Sequence, residues 1–69
     1  MPLAEARAAR DWNESVPVGS VVVMTLDDGS EHAATAMSEA WLLGGHTAVV
    51  MVSGIGGAYR LSRCRKASA

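Results

Sequence analysis

The residue types able to do chemistry are present in this sequence, but none is spaced for it. His32 and His46 are the only histidines and Cys64 the only cysteine. A tetrahedral zinc site needs four ligands, or three and an open position. Two histidines and one cysteine fall short of a closed four-ligand set unless an acid such as Glu31 joins them, and no metal is expected. Ser15, Ser20, Ser38 and Ser53 lie in no nucleophile elbow and have no evident His-Asp pairing. Asp27 and Asp28 look like paired catalytic carboxylates, but adjacent strand-turn residues point apart, and turn formation explains them. Gly54-Ile55-Gly56-Gly57 resembles a phosphate loop only faintly. Such a loop needs a strand before it and a helix N-terminus after it, whereas a strand is expected here on both sides. Cys64 sits between Arg63 and Arg65, which would lower a thiol pKa, but it reads more simply as a small buried strand residue. The chain is therefore read as non-enzymatic and without a cofactor.

Charge carries more information. From Asp11 to Tyr59 there is no lysine or arginine, yet six acids: Asp11, Glu14, Asp27, Asp28, Glu31 and Glu39. The basic residues lie outside, with Arg7 and Arg10 before and Arg60, Arg63, Arg65 and Lys66 after. A net charge of -1 hides this segregation. If the six acids converge, they form a partner-binding surface for a Lys/Arg-lined protein and repel nucleic acid. The basic cluster at the end is the alternative: a grip on nucleic-acid phosphates, with only Tyr59 nearby to stack on a base.

The elements that must position these residues follow from local chemistry. Residues 3–13 are rich in helix formers, with Pro2 suited to the first turn and Trp12 anchoring the helix in the core. Pro17 and Gly19 end that helix. Residues 20–37 read as a hairpin around Asp27-Asp28-Gly29, whose residue types suit a type I′ or bulged turn. Ser38 to Gly45 reads as a short helical turn, capped by Ser38, closed by Gly44 or Gly45, with Trp41 pointing inward. Residues 46–65 read as a second hairpin, in which Tyr59, Leu61 and Arg63 share one face. Residues 66–69 read as a frayed tail. The expected fold is one α+β domain over residues 1–69, a short N-terminal helix followed by a curved four-stranded antiparallel sheet. A fifth strand near Val16 to Val18 would close it into an SH3-like small barrel.

Size and composition bound the rest. At 69 residues, 49% hydrophobic and 19% charged, the chain is globular in composition and short for its own core. Homodimerisation is one route to further burial, so monomer and homodimer are both open. A single cysteine fits a reducing compartment. Met1 to Arg10 has no apolar run of a signal peptide, and no stretch approaches the ~20 apolar residues of a membrane span. A soluble, cytoplasmic protein is expected.

Several stretches resemble very short reading frames of bacteriophages and mobile elements in high-GC bacteria. They are Trp12-Asn13, Pro17-Val18-Gly19, the run from Thr35 through Ser38 to Val50, and Gly57 to Ser62. The resemblance implies an origin and a fold, and carries no catalytic residue. Phage accessory proteins of this size often bind a host complex. The resemblance thus implies a small inhibitor of a host defence complex, most concretely an anti-CRISPR protein working in the host cytoplasm. Its partner would be a type I CRISPR effector of the Cascade kind, whose basic DNA-recognition surface the acids would block. A nucleic-acid-binding barrel using Arg60, Arg63, Arg65 and Lys66, or a virion structural or assembly protein, is the alternative.

Overall fold

The computed structural model describes residues 3–67. Pro2, and Ser68 and Ala69 of the expected tail, lie outside them. Helix α1 (Leu3–Ser15) runs two residues further than expected. The strands β1 (Val21–Thr25), β2 (Glu31–Thr35), β3 (Trp41–Leu43), β4 (Thr47–Met51), β5 (Ala58–Arg60) and β6 (Cys64–Lys66) follow. A single 3-10 turn, Leu61–Arg63, separates β5 from β6. The class is α+β, but the strands make two three-stranded antiparallel sheets rather than one four-stranded sheet. Their orders are β2-β1-β6 and β3-β4-β5.

The first hairpin forms as its turn chemistry requires. Gly29 N–H donates to Leu26 O (2.9 Å) and Leu26 N–H to Ser30 O (2.8 Å). Gly29 adopts a positive φ of 87°, which places the bulge that lets the strands keep their twist.

Three expectations are corrected. Ser38 to Gly45 is not a helical turn: Trp41, Leu42 and Leu43 pair with Val49, Ala48 and Thr47. One isolated helical turn fixes several residues for a single hydrogen bond, whereas a strand here joins an existing ladder. Gly44 and Gly45 are left-handed, as expected, but they turn a hairpin. Second, the expected last strand breaks at Leu61. The 3-10 turn repeats about every three residues, so Leu61 and Cys64 both face the core while Arg63 is exposed. Third, Val16 to Val18 form no strand. The strand added beside β1 is β6, pairing Met24 with Cys64, Val23 with Arg65 and Val22 with Lys66. Lys66, expected in the frayed tail, is therefore in the ladder, and Ala67 N–H still donates to Val21 O (3.0 Å).

The sheets meet around one hydrophobic cluster built on Val22, Met24, Ala36, Ala48, Val50 and Val52. The β2 chain passes from one sheet to the other. Ala36 bridges Val52, Ser53 N–H donates to Thr35 O (2.9 Å), and Met37 N–H donates to Met51 O (2.8 Å). At the opposite corner Tyr59 Oη donates to Thr25 O (2.7 Å), tying β5 to the end of β1. α1 lies against β3 and β4 and contributes Ala9 and Trp12 to the core, with Val16 just beyond it. Two of its side chains take the place of missing strand partners. Asn13 Oδ1 accepts from Ala40 N–H (2.7 Å) while its Nδ2 donates to Ala40 O (3.1 Å). Glu5 Oε1 accepts from Ala48 N–H (2.9 Å), at the register where β5 has already given way to the 3-10 turn.

Candidate functional site

The acidic and basic sets, far apart in sequence, meet in space. Because β6 pairs with β1, the arginines of the chain end lie beside the first hairpin. Arg63 Nη1 donates to Asp27 Oδ1 at 2.8 Å, and Arg65 Nη2 to Glu31 Oε1 at 3.3 Å. The second pair spans the outer face of its sheet, with Val23 in the strand between. Both pairs are solvent-exposed, so each contributes at most about 1 kcal/mol to stability. They nevertheless neutralise the acids expected to lead a one-signed patch. An open cleft of about 390 Å3 beside them is lined by Asp27, Tyr59, Arg60 and Arg63, again of mixed charge.

The other acids are distributed. Asp28 serves its own turn: its Oδ1 accepts from Ser30 Oγ (2.6 Å) and from Ser30 N–H (2.9 Å). The Ser30 hydroxyl and then its amide hold the Asp28 carboxyl below the ordinary carboxylate pKa. Asp11 has Arg10 Nε at 3.8 Å. Glu14 and Glu39 come to one corner, since they adjoin Asn13 and Ala40, which are hydrogen-bonded to each other. Both are exposed. Arg60 and Lys66 are exposed and make no ion pair among the described residues.

Next to that corner stands a side chain expected in the core. Trp41 is 39% exposed, on the outer face of edge strand β3. Leu43, two residues on, shares that face and is 52% exposed. Cross-strand pairing aligns Trp41 with Val49 and Val49 with Arg60. Val49 is only 2% exposed yet stands apart from the core cluster. Its burial is therefore on the outer face, between its cross-strand neighbours Trp41 and Arg60. Half-buried Met51 continues the strip. The outer face of β3-β4-β5 is thus apolar, with an aromatic residue at its edge, two acids at the β3 corner and one arginine on β5.

Two signals pointed to this face. Gly-Gly between apolar runs marks a tight hairpin, which makes Trp41-Leu42-Leu43 a strand. Alternation then opposes Leu42 to Trp41 and Leu43. What concealed it was the run Ala48-Val49-Val50, apolar on both faces and silent about which side is wet.

Among the described residues no three His, Cys, Asp or Glu side chains converge as metal ligands. Cys64 is the half-buried first residue of β6, and burial pushes its thiol pKa up, against the activation that Arg63 and Arg65 would give and in line with the reading as a strand residue. Among the described residues no helix is long and apolar enough to cross a membrane. No protein-family model, curated protein or solved structure matches the chain.

Proposed function

We propose that this chain is a small, non-enzymatic binding protein that docks on another protein through the outer face of β3-β4-β5. The observation that carries this reading is Trp41, an exposed tryptophan on an open edge strand with Leu43 beside it. Tryptophan is among the residues most enriched at interface hot spots, and an apolar centre with a polar rim is the usual anatomy of an interface. Glu14 and Glu39 supply the rim at the β3 corner and favour a basic partner surface. The β2-to-β3 passage and the Tyr59 tie support a finer view of the fold, in which the two sheets form one SH3-like small barrel capped by α1. On the resemblance of its sequence, the partner is a host defence complex. The chain then acts in the host cytoplasm as an anti-CRISPR protein, occupying a basic DNA-recognition surface of a type I effector. Expression in hosts carrying active type I systems restores plaquing of a targeted phage, and Trp41→Ala loses that effect. Failure to restore plaquing across such hosts would overturn the anti-CRISPR assignment.

One observation favours nucleic acid as a second reading: Arg60 shares the outer face with Trp41, an arrangement suited to backbone contact plus base stacking. It stands second because Arg63 and Arg65 carry Asp27 and Glu31, which removes half of the basic set. On the protein-docking reading, labelled DNA and RNA are not retarded at low salt by the wild-type chain. Steeply salt-dependent retardation, weakened by Arg60→Ala, would establish the second reading instead.

A further inference from the structure

A cleft of about 280 Å3 runs between α1 and the 3-10 turn, on a part of the surface separate from the Trp41 face. Its apolar lining is Trp12, Ala48 and Leu61, all buried residues. Half-buried Ala8 and the polar Glu5, Asp11, Ser15 and Ser62 complete it, and no lysine or arginine lines it. Glu5 is fixed in place by the Ala48 amide through Oε1, yet a carboxylate has capacity for further donors. Among the described residues the Asp11 carboxylate has only the distant Arg10 contact at 3.8 Å, between two exposed groups. Six residues separate the two acids along α1, about 9 Å of helix axis. An apolar trough with a carboxylate towards each end fits a long aliphatic stem that ends in a cation.

We propose that this cleft receives a lysine or arginine side chain from the surface of a partner protein. The protein-docking reading above supplies the source of that side chain; the recognition chemistry is the cleft's own. Both residues present the same chemistry, and the test separates them.

The test is an amide NMR titration of the full chain with Nα-acetyl-arginine amide, Nα-acetyl-lysine amide and the neutral Nα-acetyl-norleucine amide. The two tryptophans give two indole N–H signals, so Trp12 reports on the cleft and Trp41 on the outer face. The expected result is saturable shifts of the Trp12 indole and of the Ala48 and Ser62 amides with the basic compounds, the stronger of which identifies the preferred side chain. Norleucine gives none. Asp11→Asn, at an exposed position, weakens binding about tenfold without disturbing the fold. Equal shifts with norleucine, no saturable shift at these signals, or an unchanged affinity in Asp11→Asn would overturn the proposal. Trp41→Ala leaves the titration unchanged, so a failure of the outer-face reading is separately visible.

Discussion

The two tryptophans do opposite work. Trp12 is 8% exposed, part of the core, and its Nε1–H has no acceptor among the described residues. A buried donor left unpaired costs about 1–3 kcal/mol, which the burial of a large ring offsets. Trp41 is turned out and shields Val49. Acrylamide should therefore quench the emission of Trp12→Phe, which retains Trp41, much more strongly than that of Trp41→Phe, which retains Trp12. Equal quenching would contradict the assignment of inner and outer faces. Asp28 has a different role. Its folded-state pKa is depressed by Ser30, so the stability it adds is present above the ordinary carboxylate pKa, and it is lost as pH falls through the lowered value. Acid melts should show that loss below about pH 4, and Asp28→Ala should flatten this part of the curve. An unchanged acid limb in the variant would show that Ser30 does not hold the carboxylate.

At the scale of elements, α1 is held by polar contacts as much as by its apolar face. Asn13 pairs with both backbone groups of Ala40, where the chain leaves one sheet and has no strand neighbour. Asn13→Ala strips both bonds from a part-buried backbone group and should cost about 1–3 kcal/mol in denaturant unfolding, with faster exchange at the Ala40 amide. A loss under about 0.5 kcal/mol would mean that water replaces the side chain without penalty. Much of this level was legible in the sequence. The alanine-rich helix, the Asp-Asp-Gly hairpin and the β4 run were expected where they occur, because helix propensity, turn chemistry and β-branched runs act locally. What the sequence did not disclose depends on distant partners. β3 is a strand because β4 is beside it, and the chain bends at Leu61 because β1 offers β6 an edge. Nothing within Leu61-Ser62-Arg63 marks that bend. The bend reverses which side chains face inward, so Arg63 was expected on the wrong face.

For the whole molecule, the topology determines the electrostatics. Six acids in an arginine-free stretch suggest a one-signed surface only while the chain is considered as a line. Bringing β6 beside β1 places Arg63 and Arg65 on Asp27 and Glu31, and the segregation becomes a mixed surface. The candidate acidic set was therefore fully legible as residues and not as a site. The exposed aromatic face was legible only to a reading of Gly44-Gly45 as a hairpin turn, since it requires the pairing of β3 with β4. A tagged-protein pull-down from host lysate after nuclease treatment, run in parallel for wild type, Trp41→Ala and Asp27→Lys/Asp28→Lys, separates the two surfaces directly. The account predicts that wild type recovers a stoichiometric multi-subunit complex, that Trp41→Ala loses it, and that the double lysine variant keeps it. Retention by Trp41→Ala with loss in the double lysine variant would contradict the account and return the binding site to the first hairpin.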